Sequence, residues 1–575
     1  MTRVRRSLCD SSLLLTGLLG GCMLLNPLDP APDEQSGGGA SSGGLVNAMG
    51  GEGGGGGDLG GTLSAGGSSA TQKGGMPAVG AGGTEPLGGS AGQAGAGGAP
   101  ILCTVNADCN GDGLPLSRCR LPEQSCVALE SDHCRVVGDP SHPRALFFGA
   151  FASFGVSAAA QTMRETYEFA LGELMQYGGL PPRDLRRPLV MVLCDNNSGS
   201  AVIDEAVRHL TEDVQVPAIL AALSSADLQR SFEAHSNTFY LSPQTVTEEL
   251  AASDTEGLVW NLLGRSADLV GIYVRVVAQL ETYLRGLASS TDPIKVAVVT
   301  ELADSEEYDL STAVLGHLKI NAKSFNDNEL AGTALRVDLS NVEAVKRVID
   351  FKPQLVISFA KARFSQAGGV AAQIEQALTP RPHYLLSPFN VGDAADLEQL
   401  FSGGSTVIGQ TNRRFLGIDG VSALDGTSRD VKHDYESNLR GSYPGALLGF
   451  ENYYDAVYYL VYAMLAGGAP ITGRTTAFGM TQLYTGNPNN PSVKYYTGPG
   501  DLSTLFSLLP MRDPIYLMGA IGAPTFDSQG GRVDTGSIYC FDDTYHIQKG
   551  VIGYNPSDDT LYQNLPSLPC LTSFL

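Results

Sequence analysis

Basic residues are scarce in this sequence. Its 575 residues include 37 Lys and Arg against 60 Asp and Glu, which gives a formal net charge of −23 at pH 7. A protein that binds the phosphate backbone of nucleic acid needs clustered Lys and Arg, and the sequence contains no such cluster. We therefore expect no nucleic-acid partner. The acidic excess indicates a soluble surface that repels other copies of itself.

The sequence also lacks the common catalytic and metal-binding motifs. It contains no H-E-x-x-H, no G-x-x-x-x-G-K-[ST] and no zinc-like spacing of Cys and His. The stretch from Gly155 to Ala159 resembles a nucleophile elbow around Ser157, but the second Gly is absent and no partner acid or His can be identified. We interpret Ser157 as a helix N-cap. The sequence predicts no enzyme, no cofactor and no metal centre.

Long apolar runs are rare after the N-terminus. The longest, residues 450–466, contains Glu451 and Asp455 and is marginal for a membrane span. Helical spacing predicts a helix packed on a sheet, with Asp455 hydrogen-bonded to nearby backbone. The predicted apolar stripe is Tyr454, Val457, Val461 and Met464 or Leu465.

The N-terminus has the features of an export signal. Arg3, Arg5 and Arg6 precede a short apolar stretch that ends in Leu19-Gly20-Gly21-Cys22. Small residues before Cys22 resemble the lipobox of bacterial lipoproteins, which implies removal of residues 1–21 and lipidation of Cys22. A plain secretory signal is the alternative.

Residues 22–102 are predicted to be a disordered Gly/Ala/Ser-rich linker. Residues 36–100 carry 27 of the 71 glycines and almost no large apolar side chains. Such a composition cannot bury enough surface to offset chain entropy. We expect the folded part to be tethered to a membrane through its lipid alone and to face the periplasm or the cell exterior.

Cysteines are concentrated in a predicted module at 103–134. Removal of Cys9 with the signal and lipidation of Cys22 leave eight of the ten cysteines, and export makes disulfides the default. Pairing of Cys540 with Cys570 and of Cys194 with Cys134 is suggested, but the connectivity stays open. The candidates are Cys103, Cys109, Cys119, Cys126, Cys134, Cys194, Cys540 and Cys570.

Within this module, residues 108–113 match the first half of a calcium-binding loop. The twelfth position, which should be a bidentate Glu, is Cys119. The missing ligand favours a turn rich in Asn, Asp and Gly and bounded by disulfides. Calcium binding remains the alternative.

From residue 144 onward, short apolar runs alternate with helical stretches such as 158–177. Near-continuous runs of this kind are typical of strands buried on both faces, and their alternation with helices predicts parallel sheets in two α/β lobes. The runs are ALFFGAF (145–151), PLVMVLCD (188–195), PAILAAL (217–223), NTFYLSP (237–243), IKVAVVT (294–300), QLVISFA (354–360) and HYLLSP (383–388).

The order of several motifs in this region carries a family resemblance. The chain from about 145 to 550 resembles the type 1 periplasmic binding proteins, the branched-chain amino-acid-binding group of ABC transporters. The resemblance implies two Rossmann-like lobes joined by a hinge of crossing strands, with lobe 1 at 144–264 plus 416–512 and lobe 2 at 265–415 plus 513–575. The motifs are ALFFGAFASFG, ETYEFALGELMQYGGL, VMVLCD, AILAALSS, YLSPQTVT, KVAVVTELADSEEY, KPQLVISFA, the YDA at 454–456 and APTFDSQGGR.

Candidate ligand-binding residues lie in the loops after the strands, where open α/β sheets bind ligands. The resemblance places the carboxylate and ammonium groups of a ligand at Ser224 or Ser225 and at Thr245, with Thr247 nearby, and an aromatic contact at Phe389. For each hydroxyl, helix N-capping is the alternative role. Two further loop residues, Phe154 and Asn390, complete the candidate list.

One departure leaves the ligand class open. Amino-acid binders of this family have an acid before a Gly in the second lobe, and Ile408 stands at the matching position. A buried ammonium group without a partner is costly. Lys361 and Arg363 could face an anion, although a solvated helix start is their more ordinary role.

Two functions are carried forward. The first is a lipid-anchored solute-binding protein that delivers an amino acid or related metabolite to an ABC permease, or presents it to a sensor. The second is a surface lipoprotein of the same fold that contacts protein or polysaccharide without transporting a small molecule.

Overall fold

The computed structural model describes residues 102–563, apart from short gaps. These gaps are 112–114, 122, 182–185, 255, 290, 302–304, 367, 404–411, 422–423, 425, 487–491, 523–524, 534–535 and 557. The predicted signal, the lipidation site Cys22, most of the linker, Ile408 and Cys570 lie outside the described residues.

Twenty strands are assigned in the described residues. They are β1 Ser117–Arg120, β2 Ser125–Ala128, β3 Cys134–Val137, β4 Leu146–Ala152, β5 Leu189–Asp195, β6 Ala218–Leu220, β7 Phe239–Ser242, β8 Val259–Asn261, β9 Val296–Thr300, β10 Lys319–Ile320, β11 Lys323–Ser324, β12 Ala334–Asp338, β13 Leu355–Ser358, β14 His383–Leu386, β15 Phe415–Asp419, β16 Tyr495–Tyr496, β17 Leu517–Met518, β18 Ser537–Phe541, β19 Ile547–Asn555 and β20 Thr560–Gln563.

Fifteen α-helices are assigned in the same part of the chain. They are α1 Ala158–Met175, α2 Ser200–Arg208, α3 Ser225–Ala234, α4 Glu248–Ser253, α5 Val270–Ala288, α6 Ser305–His317, α7 Phe325–Leu330, α8 Ala344–Phe351, α9 Ala362–Ser365, α10 Val370–Ala377, α11 Ala394–Gly403, α12 Gly426–Ser442, α13 Glu451–Gly467, α14 Gly473–Thr481 and α15 Leu502–Leu508. Short 3-10 segments lie at Asn106–Cys109, Ser266–Leu269, Pro388–Asp393, Asn412–Arg414 and Leu509–Met511, and a π-helical turn lies at His209–Asp213.

The first lobe is built on a six-stranded sheet. Its order is β3-β5-β4-β6-β7-β8, and all neighbours are parallel except β3, which pairs antiparallel with β5 at the edge. Successive side chains of β4 face opposite cores, Phe148 toward α1 and α12–α15 and Phe147 toward α2–α4. This burial on both faces is why the strand reads as a continuous apolar run.

The second lobe is built on an eight-stranded mixed sheet. Its order is β12-β9-β13-β14-β15-β18-β19-β20, parallel from β12 to β15 and antiparallel from β15 to β20. Helices α5 to α7 cover one face, and α8 to α11 cover the other. The predicted α/β class is confirmed, but both sheets are mixed: each is parallel over most of the predicted strands and carries antiparallel pairing toward one edge.

The structure shifts three of the predicted boundaries. Cys134–Val137, assigned by sequence to the module and its connection, is the edge strand of the first sheet. Phe415–Asp419 belongs to the second sheet although lobe 1 was predicted to resume at 416. Residues 515–521, assigned to lobe 2, pack in the first lobe's core through Ile515, Leu517 and Ile521. Apolar side chains set these boundaries by the sheet they cover, which one sequence does not specify.

Helix α13 is buried on all sides and not along one stripe. Every residue from Glu451 to Met464 is buried, because α1, α12 and α14 surround the helix on the face turned away from the sheet. The predicted stripe was therefore too narrow. Within the described residues, no helix is long and apolar enough to cross a bilayer.

Two disulfides hold the N-terminal module, and a third joins two strands. Cys103 bonds Cys119 and Cys109 bonds Cys126, and these crossed pairs account for the close approach of three of these sulfurs. Cys134 bonds Cys194 across β3 and β5, the pairing that the sequence suggested. Cys540 is disulfide-bonded as well.

The stretch that resembles a calcium loop is held by hydrogen bonds to its own chain. Asp108 accepts from the backbone N–H of Thr104 at 2.7 Å and of Val105 at 3.0 Å. The Asn110 side chain bonds both the N–H and the carbonyl of Ser117. These contacts favour the turn interpretation over the calcium alternative.

His383 on β14 predicts a stability loss in acid. Burial, together with the nearby Arg414, lowers its pKa to about 4, against about 6.5 in an unfolded chain. The unfolded state thus binds more protons between these values. The neutral side chain stabilises the fold fully above pH 6.5, and this stabilisation is lost as the pH falls toward 4.

We expect His383→Gln to remove up to about 3 kcal/mol of this acid destabilisation. Urea denaturation at pH 7 and pH 4.5 measures it. His317→Gln, on the exposed end of α6, should leave the pH dependence as in the wild type. An equal loss of stability in acid for His383→Gln and the wild type would contradict the prediction.

Candidate functional site

A cavity of about 350 Å³ lies between the two lobes. Many of its lining residues follow the carboxyl ends of parallel strands in both sheets, the location where such sheets bind ligands. The start of α13 and Lys549 on the antiparallel strand β19 complete the lining. The first lobe contributes Asn196, Ala222, Leu223, Ser224, Asp227, Gln244, Thr245, Gly449, Phe450, Asn452 and Tyr453. The second contributes Glu306, Lys361, Pro388, Phe389, Val391, Asp419 and Lys549.

Three of the predicted ligand-binding residues line this cavity: Ser224, Thr245 and Phe389. Ser224 is also the N-cap of α3, since its hydroxyl accepts from the N–H of Asp227 at 3.1 Å and donates to the Asp227 carboxylate at 2.7 Å. Burial by itself raises the pKa of Asp227, but hydrogen bonds from Ser224, Arg230 and Ser200 outweigh burial and lower it.

The other three predicted residues that pack near the cavity, Ser225, Thr247 and Asn390, are not in its lining. The Ser225 hydroxyl accepts from the N–H of Thr247 at 3.1 Å, and Thr247 caps α4. Asn390 is fully buried and donates to the carbonyl of Ala360 at 2.8 Å, which ties together the loops after β13 and β14. These side chains position the two ends of the cavity without reaching into it.

Phe154 does not lie among the described lining residues. Its ring packs under the Arg135 guanidinium at 5.1 Å, and its backbone N–H donates to Asp195 at 2.8 Å. The loop after β4 turns toward the edge strand β3, which the sequence analysis did not find. The predicted contact of Phe154 with a ligand is therefore not supported by its position.

A buried ion-pair network reaches the cavity lining through Lys549 and Asp419. The Lys549 ammonium lies 2.9 Å from the Asp419 carboxylate and 3.0 Å from that of Glu451, and the three side chains are at most 2% exposed. Lys432 lies 3.5 Å from Glu451 on the other side. Because Lys549 and Asp419 belong to the second sheet and Glu451 begins α13, the network joins the two lobes.

Electrostatics favour the charged forms in this network. Burial by itself lowers the pKa of Lys549, but Asp419 and Glu451 outweigh it and raise that pKa. Burial by itself raises the pKa of Glu451, but Lys432 and Lys549 outweigh it and hold that pKa well below its usual range. Lys549 and Glu451 therefore both carry their charge at neutral pH.

A second contact between the lobes runs from α6 to α3. The Glu306 carboxylate accepts a hydrogen bond from the backbone N–H of Ser225. Nearby, the Lys361 ammonium lies 5.3 Å from the centre of the Phe389 ring, a cation–π distance. Arg363, by contrast, is largely exposed and pairs with Glu301 at 3.1 Å.

Sequence reasoning missed Glu306, Asp419 and Lys549. Asp419 ends an apolar strand, and Lys549 lies beside Gln548 in IQKGVI (547–552), whose other residues are apolar or Gly. A charge inside such a run is a usable signal, because buried charges are rare unless they are paired. Glu306 gave no comparable signal, because acidic residues are common in the first turn of a helix, where it lies on α6.

Comparisons with known proteins found matches among solved structures only. No protein-family model and no curated protein matches the sequence. Among similar solved structures is the branched-chain amino acid transporter substrate binding protein LivJ from Streptococcus pneumoniae in complex with isoleucine, at 11% identity over 70% of this chain and 98% of that chain, with a TM-score of 0.48. The leucine binding protein LivK from Thermotoga maritima is 15% identical over 72% of this chain and 100% of that chain, with a TM-score of 0.47. An ABC transporter substrate-binding protein from Desulfitobacterium hafniense in complex with Leu is 14% identical over 70% and 99%, with a TM-score of 0.46.

Proposed function

We propose that this protein is an extracytoplasmic solute-binding protein that holds a small polar molecule between its two lobes. The observation that carries the proposal is the cavity of about 350 Å³ between the lobes, to which both lobes contribute polar and charged side chains, many of them at the carboxyl ends of parallel strands. Its volume lies at the lower end of the range for small-molecule sites. A ligand there contacts both lobes at once, as a protein that closes on its solute requires.

Lipidation at Cys22 and the Gly-rich linker form the second part of the proposal. A lipid at Cys22 and about 80 residues of flexible chain would let the binding lobes move tens of ångströms from a bilayer. In this arrangement the protein delivers its ligand to an ABC permease or presents it to a sensor. Its localisation is the cell envelope, facing the periplasm or the exterior.

A binding panel tests the function. A Cys22→Ala variant, which should leave the membrane fraction, supplies soluble protein, and calorimetry measures binding of amino acids, their amides, short peptides, sugars and nucleosides. We expect at least one small polar ligand to bind and to raise the melting temperature.

Thr245→Val should weaken that binding about fivefold, because one hydrogen bond contributes about 1 kcal/mol. The matched control is Thr485→Val, outside the cavity on the helical side of the first lobe, where the hydroxyl donates to the Thr481 carbonyl at 3.1 Å. Absence of binding across the whole panel would instead support the alternative, a surface lipoprotein that contacts protein or polysaccharide.

A further inference from the structure

We infer that Glu306 determines ligand specificity: its carboxylate occupies the N-terminus of α3, so the cavity accepts a polar ligand without a carboxylate at that end, such as an amide or an amine. This inference rests on the proposed function and deepens it. The contact of Glu306 with the N-terminus of α3 is visible only in the tertiary structure.

The N-terminus of α3 presents backbone N–H groups that favour a negatively charged acceptor. The first backbone N–H groups of a helix have no partner within the helix and favour an acceptor that carries negative charge. The N–H of Asp227 is satisfied by the Ser224 hydroxyl, while the N–H of Ser225 points to the second lobe. Ser225 is 3% exposed, so water does not readily serve as its acceptor.

Glu306 fills this position from the opposite lobe. Its side chain is 5% exposed, and one carboxylate oxygen accepts from the Ser225 N–H. The Ser225 hydroxyl is engaged as well, since it accepts from the N–H of Thr247 at 3.1 Å. The groups expected from the sequence to hold a ligand carboxylate are thus already bonded within the chain.

This arrangement selects against an anionic ligand. A ligand carboxylate at α3 would have to displace Glu306 or lie beside it. Two buried carboxylates in such close contact repel each other. A neutral amide or a cationic amine can lie beside Glu306 without that repulsion. The other carboxylates of the cavity, Asp227 and Asp419, are paired with Arg230 and Lys549, so the selection comes from Glu306 at α3 and not from the net charge of the cavity.

The same contact joins the lobes in the absence of a ligand. Ser225 begins α3 in the first lobe, and Glu306 lies on α6 in the second. Loss of the contact should therefore expose the Ser225 amide whether or not any solute binds. This property provides a measurement that does not depend on knowing the ligand.

The first part of the experiment follows amide hydrogen exchange at Ser225 in the ligand-free, full-length Cys22→Ala protein. We expect exchange to become about tenfold faster in Glu306→Ala, because a charge-assisted hydrogen bond is lost. Glu306→Gln keeps an acceptor oxygen and should retain most of the protection. Glu343→Gln, an exposed carboxylate of the second lobe, is the matched control and should exchange as the wild type does.

The second part compares matched pairs of probes, each an amino acid and its amide, by calorimetry. We expect the wild type to bind the amide about tenfold or more tightly than the acid, and Glu306→Gln to bring the ratio close to one. Glu306→Gln removes the charge and preserves the shape, so this readout separates charge selection from a merely structural role.

Each outcome is decisive. Unchanged protection of Ser225 in Glu306→Ala overturns the contact between the lobes, and equal binding of acid and amide by the wild type overturns the selectivity. If no probe binds any variant, the proposed function fails and the selectivity fails with it. The exchange measurement still decides in that case whether Glu306 occupies α3.

Discussion

Replacement of Lys549 by Met is expected to lower the free energy of unfolding by about 3–5 kcal/mol, which is the usual cost of removing one partner from a buried ion pair. The ammonium lies 2.9 Å from Asp419 and 3.0 Å from Glu451. Met fills a similar volume, but it leaves two carboxylates facing each other with only Lys432 to compensate Glu451. The loss comes from these unpaired charges and not from a cavity.

Chemical denaturation at pH 7, followed by the fluorescence of Trp260, measures this loss. Lys346→Met is the matched control, because that ammonium is 73% exposed and its removal should change stability by less than about 0.5 kcal/mol. Addition of Asp419→Asn and Glu451→Gln to Lys549→Met should recover much of the stability, since the repulsion disappears. A loss below about 1 kcal/mol for Lys549→Met alone would show that the network contributes little.

Replacement of Asp455 by Ala is the second large effect, with an expected loss of about 4 kcal/mol or more. The carboxylate is fully buried and accepts from the Thr497 hydroxyl at 2.7 Å and from the N–H groups of Ala520 and Ile521 at 3.0 and 2.9 Å. Ala removes the acceptor for three buried donors at once. Each donor left without a partner costs about 1–3 kcal/mol.

The pH dependence of this effect distinguishes it from a simple packing defect. Burial raises the pKa of Asp455 to about 6 against its hydrogen bonds, while an unfolded Asp titrates near 4. Between pH 4 and 6 the folded protein therefore binds a proton that the unfolded chain does not. The stabilisation that results is fully present below about pH 4 and is lost as the pH rises through 6. The stability difference between wild type and Asp455→Ala should therefore be larger at pH 4 than at pH 7, and equal differences at the two pH values would contradict it.

Gly519 offers an independent check on the same contact. A Cβ atom at this position would lie 2.1 Å from the Asp455 carboxylate. The absent side chain lets the loop after β17 bring the N–H groups of Ala520 and Ile521 onto the carboxylate. The sequence predicted hydrogen bonds from Asp455 to nearby backbone, and the partners are instead 65 and 66 residues further along the chain.

Much of the fold was predictable because both sheets are covered on both faces. Strands such as β4 and β9 then need apolar side chains at every position, and the resulting runs stand out in the sequence. Strands β8 and β12 were not predicted from the sequence, each for a different reason. Only Ala334 and Val337 of the edge strand β12 are buried, and β8 is three residues long.

The candidate site was predictable only in part. Ser224, Thr245 and Phe389 follow predicted strands, and the rule that ligands bind at strand ends placed them correctly in one cavity. Glu306 and Lys549 reach the same cavity from different segments of the second lobe. Their contacts with Ser225 and Glu451 join residues 81 and 98 positions apart in the sequence.

Sequence alone was enough to predict the α/β class, the positions of seven buried strands along the chain and several of the loops that line the cavity, because apolar runs and strand ends are local properties. Only the tertiary structure decided that Glu306 occupies α3, that Lys549 is buried between two carboxylates and that α13 is enclosed on every side. From sequence alone, a charged side chain is predicted to be exposed to solvent unless its partner is known. That partner is set by how the two lobes meet.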